Sequence, residues 1–307
     1  MNVLSLFDGM SGARVALERA GVKVDNYCAL EIDKYAIKIA QKNYTDTVQL
    51  GSVTDFKSFG GADVDLLIGG SPCQDVSFAG KGKGLAGERS GLFWEYVRIK
   101  KEVNPRYFLL ENVRMKQEYQ DVISETLGVK PIVINSRLVS AQNRLRYYWT
   151  NIPFVGMPED KGIVLKDILE DGVFTDREKA HCLDANYFKG GNLKSYFEKH
   201  RRQLVFSKDG LCHVADADLK GNDCLKRVYH PDGKAPTLNA CTGGNREPKV
   251  LIKNSAWRKL TPLECERLQT YPDGYTEGVS NTQRYKMLGN SFTVDVIAHL
   301  LRGLLVR

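Results

Sequence analysis

Residues 3–12 read Val-Leu-Ser-Leu-Phe-Asp-Gly-Met-Ser-Gly, an apolar run that passes directly into a turn of small residues. The run predicts a first β-strand over residues 3–6, and the apolar spacing after the turn predicts a helix over residues 13–20. Small residues between a strand and a helix let a nucleotide-like ligand approach the backbone and the helix N-terminus. The turn is therefore a candidate ligand site, and a tight turn that binds nothing is the alternative.

The same rhythm continues to about residue 150. The sequence predicts further strands over residues 27–31, 47–50, 64–69, 107–112, 132–139 and 147–150, and further helices near 34–43, 90–103 and 115–127. Continuous apolar runs such as Leu66-Leu67-Ile68 are typical of parallel strands that are buried on both faces. We therefore expect an α/β fold with a doubly wound, Rossmann-like sheet.

This rhythm ends at residue 153 and returns near residue 256. The intervening stretch is rich in Gly, Asn, Asp and Lys and contains only short strand-like pieces. Thr261-Pro262-Leu263-Glu264 then predicts a helix start with a capping box, and residues 294–305 have helical apolar spacing. The sequence thus predicts one domain from residues 1–152 and 256–307, and a smaller, irregular domain from residues 153–255.

Charge is distributed unevenly along the 307 residues, whose formal net charge is +7. Residues 185–255 contain 13 Lys and Arg against 7 Asp and Glu, and several of these basic residues lie next to aromatic ones. This mixture is suited to contacts with nucleic-acid phosphates, although a solvated surface with scattered lysines is the alternative. The proportions of 42% hydrophobic and 26% charged residues exclude a fibrous or low-complexity chain.

The number of cysteines and the hydropathy of the sequence indicate the compartment in which the protein works. The seven cysteines are an odd number without a Cys-x-x-Cys pair, so we expect reduced thiols. The sequence has no apolar run of about 18 residues and no signal-peptide pattern, so we expect a cytoplasmic protein without a membrane span. No metal site is expected, because His181-Cys182 and Cys212-His213 lack the usual ligand spacing.

Chemically reactive residues follow the predicted strands. Pro72-Cys73-Gln74 comes just after the strand over 64–69, where a loop cysteine can be activated as a thiolate. Residues 77–91 contain five glycines together with basic residues, which predicts a lid over a phosphate-bearing substrate, with a flexible surface loop as the alternative. Glu31 follows the second strand, at the position where Rossmann-like folds bind ribose hydroxyls.

Two further elements add charge to the same edge of the sheet. Glu111 lies at the end of the strand over 107–112, so it should share a cleft with Cys73. The alternation in Gln142-Asn143-Arg144-Leu145-Arg146 predicts a strand that presents Gln142, Arg144 and Arg146 on one face as an anion-binding stripe. An exposed amphipathic strand is the alternative.

These segments, in this order, resemble the cytosine-5 DNA methyltransferase family of the bacterial or phage type. The resemblance covers residues 1–152 and 256–307, and it includes the late segment Leu288-Gly289-Asn290-Ser291-Phe292-Thr293-Val294. It implies a Rossmann-like methyltransferase that transfers a methyl group from S-adenosyl-L-methionine to carbon 5 of cytosine in a specific sequence of double-stranded DNA. The chemistry implied is a covalent cysteine adduct on a flipped-out base, with residues 153–255 as the target recognition domain.

The resemblance also implies individual roles. The implied catalytic residues are Cys73, Glu111, Arg144 and Arg146. The implied cofactor ligands are Phe7, Asp8, Gly9, Ser11, Gly12, Glu31, Ile32, Asp33, Ser52, Val53, Pro72, Leu92, Asn290 and Phe292. The expected DNA contacts are Gln74, Ser77, Arg89, Arg201, Arg202, Thr237 and Arg246.

Two positions depart from the family pattern. Where the family usually has Gly-Asp-Ile or Gly-Asp-Val, with the aspartate on the adenine amine, this chain has Gly51-Ser52-Val53-Thr54-Asp55. Either Ser52 or Asp55 would then make the adenine contact. Ser11 replaces a glycine that is common in the cofactor turn.

Three other functions remain open at this stage. An RNA cytosine methyltransferase would have the same catalytic parts, although a recognition domain of about 100 residues favours duplex DNA. A nicotinamide-dependent oxidoreductase would explain the turn and Glu31 but not Cys73 or the two arginines. An inactive DNA-binding relative would not need Cys73 and Glu111. We expect a monomer, and a cognate restriction endonuclease is a candidate partner.

Overall fold

The computed structural model describes residues 1–57, 63–71, 91–170, 172–189, 191–207, 213–216, 227–229, 249–250 and 257–306. The strands are β1 Asn2–Leu6, β2 Asn26–Leu30, β3 Val48–Gln49, β4 Leu66–Gly69, β5 Tyr107–Val113, β6 Ile132–Asn135, β7 Leu145–Thr150, β8 Val173–Phe174, β9 Leu204–Ser207, β10 His213–Asp216, β11 Arg227–Tyr229, β12 Lys249–Val250 and β13 Trp257–Lys259. The α-helices are α1 Gly12–Ala20, α2 Lys34–Asn43, α3 Leu92–Val103, α4 Gln117–Leu127, α5 Leu193–Lys199, α6 Pro262–Leu268, α7 Asn281–Asn290 and α8 Val294–Leu301.

Seven strands form the central sheet in the order β3-β2-β1-β4-β5-β7-β6. The pairs β1–β2, β1–β4, β2–β3 and β4–β5 are parallel, whereas β7 runs antiparallel to both of its neighbours, β5 and β6. The chain enters β1 near the middle of the sheet and then builds outward in both directions. This arrangement confirms the predicted doubly wound α/β sheet.

The sheet separates two hydrophobic clusters, as expected for strands that are buried on both faces. Successive residues of β1 alternate between them: Val3 packs in one cluster and Leu4 in the other. Leu67 packs with Leu4, while its neighbours Leu66 and Ile68 pack with Val3. The continuous apolar runs of the sequence therefore supply both layers at once.

Some predicted boundaries were too long. The strand predicted over 132–139 ends at Asn135, and residues 136–138 form a 3₁₀ turn instead. The reason is local, because the Asn135 side chain accepts hydrogen bonds from the backbone N–H groups of Arg137 and Arg144. The helix predicted over 294–305 likewise ends at Leu301, and a 3₁₀ turn follows over residues 302–305.

The segment after residue 257 returns to the sheet domain. Helix α6 begins with the predicted capping box: Thr261 Oγ1 accepts the N–H of Glu264, and Glu264 Oε2 accepts the N–H of Thr261. Helix α8 packs against α1. These contacts bring the end of the chain to the edge of the sheet where β1 ends.

Two small sheets lie in the middle of the chain. One has the order β10-β11-β12, and the other has the order β13-β9-β8. Strand β13 is thus paired, antiparallel, with a strand from the stretch before residue 256. The division into residues 1–152 with 256–307 and residues 153–255 stays a prediction. No helix within the described residues is long and apolar enough to span a membrane.

Candidate active site

A cavity of about 400 Å³ lies at the carboxyl ends of the parallel strands. The turn after β1, the ends of β2 and β5, and the segment just after β4 line it. Lys286, Met287 and residues 289–292, at the end of α7 and just after it, also line the cavity. This is the edge at which open α/β sheets bind ligands.

Glu31 connects the turns that follow the first two strands. Its Oε2 accepts a hydrogen bond from the N–H of Gly9 at 2.8 Å, and its Oε1 accepts the N–H groups of Ile32 and Asp33, each at 2.8 Å. The carboxylate is thereby fixed on the cavity wall, between the β1 turn and the start of α2. A carboxylate held in this position can still accept hydrogen bonds from ligand hydroxyl groups.

Apolar and hydroxyl side chains line the cavity beside Glu31. Ile32 is 76% exposed although it is a large apolar residue, and it lines the cavity together with Ser52 and Val53. Asp55 is not among the described residues that line the cavity. The Ser52 hydroxyl accepts a hydrogen bond from the N–H of Thr54 at 3.2 Å. Of the two alternatives for an adenine contact, the fold brings Ser52 to the cavity.

The end of α7 and the residues after it contribute both expected and unexpected residues to the cavity. Asn290 and Phe292, for which we expect a cofactor contact, line the cavity, and so does Leu92. Lys286 was missed; its Nζ donates a hydrogen bond to Asp33 Oδ2 at 2.7 Å, so it links α7 to the start of α2. The only signal for Lys286 in the sequence was that it precedes the Leu288–Val294 segment by two residues.

Glu111 and Arg146 form an ion pair on the wall of the same cavity. Arg146 Nε lies 2.9 Å from Glu111 Oε1, without the alignment of a hydrogen bond, and the side chains are 12% and 13% exposed. Glu111 is opposite Tyr148 and Arg146 is opposite Val113, which makes the pair diagonal neighbours on β5 and β7. The register of the sheet therefore holds a carboxylate and a guanidinium group together at the cavity.

Arg144 occupies a different environment from the one expected. Its side chain is 4% exposed and donates hydrogen bonds to the carbonyl oxygens of Leu183 at 2.9 Å, Ser291 at 2.9 Å and Gly289 at 3.3 Å. Gln142 is fully buried, and its amide donates to the Leu268 carbonyl oxygen. Strand β7 begins only at Leu145. The predicted anion-binding stripe is thus wrong for Gln142, whose side chain is bonded within the core. Arg144 lines the cavity together with Arg146, but its guanidinium group is already bonded to main-chain carbonyl oxygens.

The family model described as C-5 cytosine-specific DNA methylase matches residues 1–305. The chain belongs to this family. It is a DNA cytosine-5 methyltransferase, which confirms the resemblance stated from the sequence.

Several relatives of this methyltransferase are bacterial or phage proteins. The type II methyltransferase M.HhaI of Haemophilus parahaemolyticus is 28% identical and covers 98% of this chain and 93% of its own. The orphan methyltransferase M.SPBetaI of Bacillus phage SPbeta is 26% identical and covers 99% and 97%. Among solved structures, the Entamoeba histolytica methyltransferase EhMeth has a TM-score of 0.67 at 18% identity, covering 99% of this chain and 97% of that one. The structural likeness shows the shared fold.

Two implied cofactor ligands of the methyltransferase have buried side chains that contact each other. Ser11 is fully buried and Asp8 is 5% exposed, and the Ser11 hydroxyl donates to Asp8 Oδ2 at 2.7 Å. Asp8 lines the cavity together with Phe7, Gly9 and Gly12, and Ser11 is not among the described residues that line it.

Several predicted residues of the methyltransferase lie outside the described residues. These are Pro72, Cys73, Gln74, Ser77, Arg89, Thr237 and Arg246. Of the predicted DNA contacts, Arg201 and Arg202 are described. The Arg201 side chain is 59% exposed and lies 3.5 Å from Asp184 Oδ2, and Arg202 has a left-handed backbone with a φ of 57°.

Proposed function

We propose that this methyltransferase transfers the methyl group of S-adenosyl-L-methionine to carbon 5 of cytosine in a specific DNA sequence, through a covalent Cys73 adduct on a flipped-out base. One observation carries the proposal. The Glu111–Arg146 pair and the Glu31-bound turn line one cavity, so a base and a nucleoside cofactor can be held side by side. The target sequence itself is a matter for experiment.

The residues at the cavity fit S-adenosyl-L-methionine. Glu31 presents a carboxylate of the kind that binds ribose hydroxyls, and the exposed Ile32 side chain offers an apolar surface for an adenine ring. A Cβ added to Gly9 would meet no atom within 4 Å, so the turn leaves open space beside Glu31. The cavity volume of about 400 Å³ is in the range of small-molecule sites. The bound cofactor would supply the methyl group.

The base side of the cavity requires an extruded nucleotide, because stacking hides carbons 5 and 6 of cytosine in a duplex. Glu111 would hold ring nitrogen 3 and provide a proton there as negative charge develops. Arg146, already paired with Glu111, would orient this carboxyl group and contact the base carbonyl. Arg144, which we expected to share that contact, would instead support the wall formed by residues 289–291.

Cys73 is the proposed nucleophile. Its thiolate would add to carbon 6, and the electron pair pushed into the ring would make carbon 5 nucleophilic toward the methyl group. Loss of the carbon-5 proton would then break the bond to sulfur and regenerate the thiolate. Ser71, two residues before Cys73 in the sequence, lies close to Glu111. Its Oγ accepts a hydrogen bond from Nδ2 of Asn112, the residue after Glu111, at 3.2 Å.

The DNA contacts and partners belong to the proposal as well. We assign phosphate contacts to Arg201 and Arg202, and the remaining predicted contacts to residues outside the described part of the chain. A cognate restriction endonuclease and a monomeric state stay predictions. Relatives named type II methyltransferases and relatives named orphan methyltransferases both match along almost the whole chain.

The decisive experiment traps the covalent adduct. Bisulfite sequencing of DNA from cells that express the chain identifies the target, and a duplex with 5-fluorocytosine at that site then blocks release, because carbon 5 carries no removable proton. We expect a stable protein–DNA adduct with the wild type and none with Cys73→Ser. Cys182→Ser removes a thiol that contacts the guanidinium groups of Arg144 and Arg146 but is not in the Pro-Cys motif, so this control should still form the adduct.

Two results would reject parts of the proposal. An adduct that persists in Cys73→Ser and disappears in Cys182→Ser would show that the nucleophile is misassigned. Radiolabel transfer to transfer RNA at a higher rate than to the identified duplex would replace DNA by RNA as the substrate.

A further inference from the structure

The turn after β1 has an unusual backbone. Phe7, Gly9 and Ser11 have φ angles of 55°, 61° and 61°, so every second residue is left-handed. Glycine adopts this conformation freely, whereas residues with a Cβ avoid it. Phe7 and Ser11 are therefore strained, and the surrounding structure has to stabilise the turn.

A buried carboxyl group stabilises this turn from the core side. Asp8 Oδ2 accepts the Ser11 hydroxyl at 2.7 Å, and Asp8 Oδ1 accepts the Tyr27 hydroxyl at 2.6 Å. All three residues are at most 5% exposed. Burial raises the pKa of Asp8, although the hydrogen bonds from Tyr27 and Ser11 favour its carboxylate form.

Two other side chains hold main-chain atoms of the turn. Glu31 Oε2 accepts the N–H of Gly9, and the buried Tyr275 hydroxyl donates to the carbonyl oxygen of Met10 at 2.7 Å. Both bonds depend on the backbone angles of the strained residues in the turn. Asp8 is the side chain that contacts the strained Ser11 directly.

We propose that Asp8 is a positioning residue, which holds the turn in its alternating conformation through Ser11 and Tyr27 so that the turn is ready to bind the cofactor. The inference rests on the proposed binding of S-adenosyl-L-methionine in this cavity. Ser11 occupies a position that favours glycine, and its hydroxyl bond to Asp8 compensates for the strain. The Asp8 carboxylate is bonded to Ser11 and Tyr27, so it would act on the cofactor through the turn.

The test compares two substitutions at one position. Ser11→Ala loses the hydrogen bond and keeps the strain, whereas Ser11→Gly loses both. If one molecule in ten of the alanine variant keeps the turn, its apparent dissociation constant rises about tenfold. We expect calorimetry with S-adenosyl-L-homocysteine to show this rise for Ser11→Ala and a value within about threefold of wild type for Ser11→Gly.

A second variant and a control protect the test against misfolding. Tyr27→Phe removes one donor to Asp8 without changing side-chain shape, so it should fold and weaken binding by about threefold to tenfold. Ser140→Ala is the control, because Ser140 is also a buried serine whose hydroxyl donates a hydrogen bond, to the Leu268 carbonyl oxygen away from the cavity. It should leave the dissociation constant unchanged. Amide hydrogen exchange of residues 7–12 should accelerate in Ser11→Ala and Tyr27→Phe only.

Each outcome has a separate meaning. If the wild type does not bind S-adenosyl-L-homocysteine, the proposed cofactor site fails, whatever the variants do. If the wild type binds and Ser11→Ala and Tyr27→Phe bind equally well, Asp8 has no positioning role. If Ser11→Ala and Ser11→Gly weaken binding equally, the hydrogen bond from Ser11 to Asp8 does not compensate for backbone strain.

Discussion

Arg144 Nη2 donates a hydrogen bond to the main-chain carbonyl oxygen of Ser291 at 2.9 Å, across 147 residues of sequence. The same guanidinium reaches Leu183, which lies in the stretch that the sequence assigns to target recognition. One buried arginine therefore joins the sheet domain, the wall of the cavity and the middle of the chain. Its role is to hold these segments together, whereas Arg146 is paired with the acid of the active site.

Arg144→Lys should lower the free energy of unfolding by about 2 kcal/mol, because one ammonium cannot replace a planar guanidinium bonded to three carbonyl oxygens. Chemical denaturation measures this decrease. Arg146→Lys is the matched control, since it changes the same type of residue two positions away, and it should reduce methyl transfer more than stability. Equal free energies of unfolding for Arg144→Lys and wild type would contradict the role of Arg144 as a structural link.

Glu111→Gln should keep a hydrogen-bonding group next to ring nitrogen 3 but remove the proton supply. Methyl transfer should then slow by about 10²- to 10⁴-fold, the usual contribution of general acid catalysis. Single-turnover transfer with radiolabelled cofactor separates this step from DNA binding. Glu118→Gln, an exposed acid on α4 that contacts Lys116, is the control and should transfer at the wild-type rate. An unchanged rate in Glu111→Gln would show that another group supplies the proton.

Replacing Arg201 and Arg202 by alanine should weaken binding to all DNA sequences and reduce the salt dependence. The slope of log affinity against log salt should fall by about 1 for each DNA phosphate that an arginine no longer neutralises. Changes at Thr237 or Arg246 should instead alter the preferred target, since hydrogen bonds to base edges are worth about 1–3 kcal/mol each. Salt titrations together with maps of methylated sites test both. A shifted target in the Arg201/Arg202 variant, with uniform weakening in the others, would contradict this division.

His181 should make the protein sensitive to mild acid. Burial, with Arg177 and His200 nearby, lowers the pKa of His181 to about 4. Between about pH 6.5 and pH 4 the unfolded histidine takes up a proton while the folded one stays neutral, so stability is lost as the pH falls through this range. Denaturation from pH 7 to pH 4.5 should therefore show a smaller loss of stability in His181→Gln than in wild type.

The control for His181 is His299→Gln, which removes a histidine of α8 that contacts the Gly156 carbonyl oxygen. It shows how far the removal of a histidine at another place changes the stability curve. Parallel curves for His181→Gln and wild type would mean that the neighbours of His181 do not resist its protonation.

Local patterns predicted much of this molecule. The order of strands and helices up to Thr150 followed from apolar periodicity, and the capping box at Thr261 marked a real helix start. Glu31 was found because the end of the second strand has a fixed place in such sheets. Glu111 was placed in the same way, and the fold brings both acids to one cavity.

Long-range contacts account for most of what the sequence did not predict. The alternation around Arg144 has the spacing of a strand, but its burial depends on carbonyl oxygens 39 and 147 residues away. The strain at Ser11 is compensated by Asp8, which itself needs Tyr27 from the next strand. The pairing of β9 with β13 likewise crosses about 50 residues that carry no periodic pattern.

The position of Lys286, Asn290 and Phe292 on the cavity wall also has a consequence for the order of events during synthesis. These residues follow β1 to β7 and the Glu31 turn in the sequence, so a ribosome makes the sheet before this part of the cavity wall. A nascent chain can therefore fold around β1 to β7 while the wall of its cofactor cleft is still incomplete. We expect a fragment that stops at residue 255 not to retain S-adenosyl-L-homocysteine, because it contains the sheet but lacks these wall residues.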